Sequence, residues 1–548
     1  MRRLWAGVTF AVVTLLCVRP AAAQLGIVSV TGGRVEGVTA DGVTSFKGIP
    51  FAAAPVGQLR WRAPQPDKPW TGTKAADHFA PGCIQKPDIA KIFGAPPAVS
   101  EDCLYLNVWT PARSASERLP VMVWIYGGGF SVGQTSAPVY DGAHLAHRGV
   151  VLVSIAYRLG AFGFLADPDL SREPAGGSGN YGILDMIQGL KWVNANIGKF
   201  GGDPTNVTIF GESAGGIAVS MLAASPAADG LFQRAISESG SNFSPVRSSP
   251  LGTSAEHGEE IGGLIDRQGG EMMPTLASAE RYGARFLEKL GARSIGAARE
   301  LPAAVIQKAA DLEPAYAFLP VVDGRILAGD EHTLYTQRRF NDTPILVGTN
   351  SDEGILFAQP GITPATFEED VRSDYGKYAD AIVALYPHAT DSQAEQAARD
   401  LLRDTIFAWG TWSWAESQMR YGRNKAYLYY FDRRSPQAPL GPSHAAEIDY
   451  VFGNLNSCKQ CGSLSLSGAP RPSELVLSEL IQSYWVNFAK NGDPNGPGLP
   501  VWPEVSRTAQ EAMFLDTRPG AHPVPNLRQI KVLDEYFAWR RRHDGQRP

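Results

Sequence analysis

Short apolar runs rich in β-branched and aromatic residues recur at 104–109, 121–126, 150–155 and 207–210. Between the last two, residues 184–197 carry apolar side chains at helical spacing, and further strand-like runs follow at 344–348 and 426–431. Strands that alternate with helical patterns predict a mainly parallel sheet, helices covering both faces, in the α/β class. Residues 28–47 read as short strands with glycine-rich turns, and 50–70 is proline-rich and irregular. Two stretches break the alternation. Residues 242–314 are helix-rich and polar, residues 361–415 are also helical, and both read as helical insertions that cap the sheet. Neither an internal repeat nor a low-complexity linker interrupts the chain, so one domain with a cap is the economical organisation.

The strand at 207–210 runs into Gly211-Glu212-Ser213-Ala214-Gly215-Gly216, and a small-residue helical run follows at 217–224. Strand, sharp turn and helix around Gly-x-Ser-x-Gly predict a nucleophile elbow. Such a turn strains the serine backbone and presses strand and helix together, so side chains two positions either side of Ser213 would clash. The strain exposes the hydroxyl and sets the next N–H groups at a helix N-terminus, where developing negative charge is favoured.

A serine hydroxyl needs a base, and the base needs an orienting acid. In doubly wound hydrolases the chain order is serine, acid, histidine. Among the histidines after Ser213 (His257, His332, His388, His444, His522 and His543), His444 lies in a turn after the strand at 426–431. Loops at the C-terminal ends of strands are where ligand sites of open α/β sheets gather. The same reasoning points to the loop after 344–348, where Asp352 and Glu353 stand side by side and composition does not choose between them. Tyr126-Gly127-Gly128-Gly129-Phe130 follows another strand, and consecutive glycines let backbone N–H groups converge on a substrate oxygen.

Composition narrows the partners. With 44% hydrophobic and 19% charged residues and a net charge of −5, the 548-residue chain is an ordinary globular protein without a basic stretch suited to nucleic acid. Arg540-Arg541-Arg542 reads as the solvated end of a terminal helix. Arg2 and Arg3 precede an apolar stretch from Leu4 to Cys17, and Ala21, Ala22 and Ala23 stand before Gln24. This is the pattern of a secretory signal peptide over 1–23, leaving 24–548 as the catalytic domain, secreted or periplasmic and without a membrane span. Export would leave Cys83, Cys103, Cys458 and Cys461 in an oxidising compartment, where an even count predicts disulfides. Sequence proximity pairs Cys83 with Cys103 and Cys458 with Cys461. A zinc site at Cys458/Cys461 would need two further ligands, and a redox motif lacks its βαβ context.

Taken together, the motifs resemble those of the type-B carboxylesterases, the family of bacterial p-nitrobenzyl esterases, mammalian carboxylesterases and cholinesterases. The likeness runs through residues 46–52, Arg60-Trp61-Arg62, 100–107, 124–130, Tyr157-Arg158, Asn180-Tyr181-Gly182, 201–204, the elbow, 320–324, Asp352-Glu353-Gly354 and Trp502-Pro503. It implies an α/β-hydrolase fold and hydrolysis of a small-molecule ester, with no cofactor or metal. It also implies Ser213 as nucleophile, Glu353 as acid and His444 as base. Gly128, Gly129 and Ala214 would donate to the oxyanion. Glu212 and Ser239 would support the site from behind, and Cys83–Cys103 would match the family's first disulfide loop. Met186 and Gly189 depart from the family's usual Gln and Ala. A lipase or an amide or carbamate hydrolase would need the same residues. A non-catalytic binding relative would have lost one of them.

Overall fold

The computed structural model describes residues 25–86, 98–173, 177–246, 273–314, 317–434, 440–455, 457 and 469–543. The segment read as a signal peptide and the Cys458/Cys461 pair lie outside these residues. Eleven strands build the central sheet. They are β1 (Val38–Ala40), β2 (Val43–Pro50), β3 (Tyr105–Thr110), β4 (Leu119–Ile125), β5 (Val151–Ile155) and β6 (Gly202–Glu212). The rest are β7 (Arg234–Glu238), β8 (Ile345–Asn350), β9 (Ala426–Phe431), β10 (Glu511–Leu515) and β11 (Gly520–Pro523). Their spatial order is β11-β10-β9-β8-β7-β6-β4-β5-β3-β2-β1.

From β5 through β4, β6, β7, β8 and β9 to β10 every pairing is parallel. Antiparallel strands finish the two flanks. Every residue of β5, β8 and β9 is buried, so helices must cover both faces, as a parallel sheet requires. This is the α/β-hydrolase arrangement.

The helices that matter for the site are α1 (Tyr181–Asn196), α2 (Ala214–Ala224), α3 (Asp391–Arg403), α4 (Trp409–Tyr421), α5 (Pro472–Asn491) and α6 (Leu527–Arg542). All of α2 is buried, wedged against β6 and β7. β6 begins earlier than its apolar run because its polar start, Gly202 to Asn206, joins the sheet across a register shift between Gly202 and Val207. Helices Leu276–Lys289, Ile295–Arg299 and Ala303–Ala310 fall in the first of the two helix-rich stretches. Pro364–Tyr375, Ala379–Val383 and α3 fall in the second. α4 runs past residue 415 and packs on β8 and β9.

One expectation is corrected. The arginines at the end of α6 are not simply solvated: Arg540 is buried, and Arg541 pairs with Asp330 at 3.4 Å and donates to the carbonyl of Phe243. Successive helical residues point in different directions, so a run of three cannot all face water on a helix packed along one side.

Candidate active site

At the junction of β6 and α2, Ser213 holds φ 56° and ψ −125°. A non-glycine residue in such a conformation costs about 1–3 kcal/mol and persists only where its surroundings over-determine it. They do so here. A Cβ on Gly215 would lie 2.0 Å from the Ile125 carbonyl oxygen, and one on Gly211 2.6 Å from the same oxygen. On the far side, a Cβ on Gly240 would lie 2.3 Å from the Ser213 carbonyl oxygen. Ser213 N–H donates to the carbonyl of Glu238 at 2.9 Å, tying the elbow to β7. Ala214 opens α2, so its N–H is among those that lack an intrahelical acceptor.

The glycine turn after β4 meets this elbow. Gly128, Gly129 and Phe130 all have positive φ (100°, 61° and 59°). A Cβ on Gly127 would stand 2.8 Å from the Glu212 carbonyl oxygen and 3.0 Å from Ser213 Cβ. Only a bare backbone passes this close to the serine.

His444 sits in the turn before a short helix, Ile448–Phe452. Its Nδ1 lies 2.6 Å from Glu353 Oε2. The other oxygen, Glu353 Oε1, accepts from Ser239 Oγ at 2.5 Å and from the Asn350 N–H at 2.8 Å. An ionised carboxylate can only accept, so Nδ1 carries a proton toward it. His444 Nε2 stands 3.1 Å from Glu212 Oε1, beside the elbow. Asp352 takes a different environment, bonded to Ser351 Oγ at 2.5 Å and to Arg434 Nη2 at 3.2 Å. The structure thus brings Glu353, His444, Ser239 and Glu212 into one buried cluster, and Gly127 up against Ser213.

Further groups at this cluster were missed. Glu447 Oε2 accepts from Asn350 Nδ2 at 2.5 Å, and its Oε1 lies 3.4 Å from Ser239 Oγ. Glu238 accepts from Trp485 Nε1 at 2.8 Å, joining the elbow to α5. Glu447 closes the same turn that carries His444, with Ala445 at φ 69° between them, and no sequence pattern marks it as part of the site.

So many buried acids repel one another. Burial pushes Glu212 up to about 8, opposed by the charge of His444 and helped by those of Glu447 and Glu353. Burial and the charge of Glu353 push Glu447 up to about 7, and burial with Glu447 and Glu212 nearby raises Glu238 well above the carboxylate range. For His444 burial alone would lower the pKa; the charges of Glu212 and Glu353 and the bond to Glu353 outweigh it and raise it to about 9. A buried carboxylate in contact with an imidazole, close to a hydroxyl on a strained turn, supplies the groups that a nucleophile, base and acid require.

Cys83 and Cys103 form a disulfide just ahead of β3. Among the described residues no group of three or more His, Cys, Asp or Glu is arranged to hold a metal ion, and no helix is long and apolar enough to cross a membrane.

The sequence profile described as "Carboxylesterase family" matches residues 24–532. The chain is 37% identical to the fumonisin B1 esterase of Sphingopyxis macrogoltabida over 485 residues, covering 88% of this chain and 85% of that one. It is 36% identical to the para-nitrobenzyl esterase of Bacillus subtilis (strain 168) over 500 residues, covering 90% and 95%. A solved PNB esterase superposes with a TM-score of 0.78 at 34% identity, covering 93% of this chain and 99% of that one.

Proposed function

The chain belongs to the carboxylesterase family and is a carboxylic ester hydrolase; from that premise we propose an exported serine esterase that cleaves neutral small-molecule esters through an acyl-enzyme. Ser213 Oγ attacks the ester carbonyl while His444 Nε2 takes its proton. Glu353 holds the imidazole in the reactive tautomer and stabilises the imidazolium. The N–H groups of Gly128, Gly129 and Ala214 receive the charge that builds on the carbonyl oxygen. Collapse breaks the bond to the alcohol, which leaves with the proton from His444, and the acyl group stays on Ser213. Water, deprotonated by His444, then attacks the acyl carbon and releases the acid and the serine.

The observation that supports this most is the buried line from Ser239 through Glu353 to His444, whose far nitrogen stands beside the elbow at Glu212. Ester hydrolysis by the named relatives agrees with it. The Cys83–Cys103 disulfide supports an oxidising destination, and N-terminal sequencing of exported protein should begin at Gln24. Ser213→Ala tests the chemistry: kcat on a p-nitrophenyl ester should fall by several orders of magnitude with the melting temperature little changed. Substantial residual turnover in a clean preparation would remove Ser213 from the role.

A further inference from the structure

Helices α3 and α4 are one continuous rod, interrupted at Asp404–Ala408 by a π-turn, which takes up an extra residue. The first half of the rod rests on the turn that carries Glu353. A Cβ on Gly354 would lie 2.3 Å from the Arg399 carbonyl oxygen, and Arg403 Nη1 donates to the Ser351 carbonyl at 2.8 Å. The second half packs on β8 and β9. Between them the π-turn is pinned by side chains. Asp404 accepts from Arg403 Nε at 2.8 Å and from Tyr386 OH at 2.9 Å, Thr405 bonds Tyr375 OH at 3.0 Å, and the Phe407 carbonyl accepts from Thr411 Oγ1 at 2.9 Å.

The side chain this turn delivers is Phe407, buried, with its ring centroid 4.6 Å from the His444 imidazole and the planes 36° apart. Phe357 meets the same imidazole edge-on at 5.2 Å and 65°. Behind the turn, Trp409 stacks on Phe537 of α6 at 3.9 Å.

We propose that Phe407, set by the π-turn, is a positioning residue for His444; the proposal rests on His444 being the base. One residue more or less in a helix rotates everything beyond it by about 100°. The inserted residue therefore lets a single rod seat the Glu353 turn with α3, face the sheet with α4 and still put Phe407 on the imidazole. There the ring keeps the imidazole from turning off Glu353, and its π-face favours the imidazolium formed when the serine proton is taken. The charged groups facing His444 are all carboxylates: Glu212 at the end of β6, Glu353 after β8 and Glu447 on its own turn. Phe407 and Phe357 are neutral walls among them, and Phe407 is the nearer of the two.

Phe407→Met and Phe407→Leu remove the ring while keeping apolar volume, and Phe407→Tyr keeps the ring. The full-length enzyme is assayed on p-nitrophenyl butyrate for kcat, KM and the pH profile of kcat/KM. Both ring-less variants should lose about 2- to 30-fold in kcat, the range a cation–ring contact supports. KM should stay within about twofold, the mark of an interaction used in the transition state. The acidic limb should move to lower pH, because the imidazolium has lost its ring, and Phe407→Tyr should restore both. A wild-type kcat and limb in either ring-less variant overturns the proposal. So does a rise in KM without a shift of the limb, which would make Phe407 a wall of the acyl pocket. His444→Ala separates the two levels. If it is inactive while Phe407→Met is normal, only the role of Phe407 fails; if it is active, His444 is not the base and the role of Phe407 falls with it.

Discussion

Glu353 and His444 meet through a single short contact, Oε2 to Nδ1 at 2.6 Å, while Ser239 and Asn350 hold the carboxylate's other oxygen. The carboxylate is thus held from both oxygens, and the imidazole is oriented by a group whose own orientation is set by Ser239 and Asn350. Glu353→Gln should cost about 10⁴-fold in kcat, as expected when the orienting carboxylate becomes an amide. Asp352→Asn should keep most of the activity, since Asp352 bonds Ser351 and Arg434 instead. Steady-state kinetics on both variants decide it, and a more damaging Asp352→Asn would move the acid by one residue.

The pH profile should carry the signature of the buried acids. His444 is raised to about 9 by carboxylates that overcome its burial, and the base works only when neutral. The kcat/KM of the free enzyme should therefore climb with pH and be lost as pH falls below about 9. Glu212→Gln removes the charge facing Nε2, so its acidic limb should lie at lower pH than in the wild type. Profiles recorded from about pH 6 to about pH 10 test this, with a limb that stays put or moves upward as the contrary result.

Much of the sheet was legible because its strands are continuous apolar runs with glycine-rich or polar turns between them. The start of β6 was not: Gly202 to Asn206 looks like loop and joins the sheet only through a register shift. Asp352 and Glu353 were indistinguishable by composition, since what separates them is Ser239 and His444 on one side and Arg434 on the other, contacts made across the fold. Glu447 and Glu238 were invisible for the same reason. Their burial comes from the meeting of β7, β9 and α5, and no local pattern announces an acid that tertiary packing will desolvate. The arginines of α6 look like a solvated run until Asp330 and the Phe243 carbonyl supply partners.

Gly215→Ala should be at or beyond the severe end of overpacking, about 3 kcal/mol, because its Cβ would meet a backbone carbonyl oxygen at 2.0 Å. Gly198→Ala, which meets nothing within 4 Å, should leave the melting temperature unchanged or slightly raised. Thermal denaturation of the pair checks the geometry of the elbow independently of catalysis. Equal stability of the two variants would be incompatible with it.

Neutral esters should be preferred over choline esters. The stretch between the first two disulfide cysteines has Phe93 as its only aromatic between residues 84 and 102 and carries no tryptophan to bind a quaternary ammonium; a cation over an aromatic face is worth about 0.5–2 kcal/mol. Trp409 and Trp412, two tryptophans elsewhere in the chain that could stand in for it, are buried, the first stacked on Phe537 and the second bonded to Gln510 at 3.4 Å. The comparison is kcat/KM for butyrylcholine against its uncharged 3,3-dimethylbutyl analogue, and a clear advantage for the charged ester would reveal a cation site built elsewhere.

Covalent trapping tests the acyl-enzyme most directly. The full-length protein, treated with a fluorophosphonate and digested, should carry the phosphonyl group on the peptide containing Ser213 in stoichiometric yield, with activity lost in parallel. His444→Ala should label far more slowly, because the hydroxyl has lost its base. A fully inactivated enzyme whose adduct maps to any other residue, or an unlabelled enzyme that remains active, would contradict Ser213 as the nucleophile.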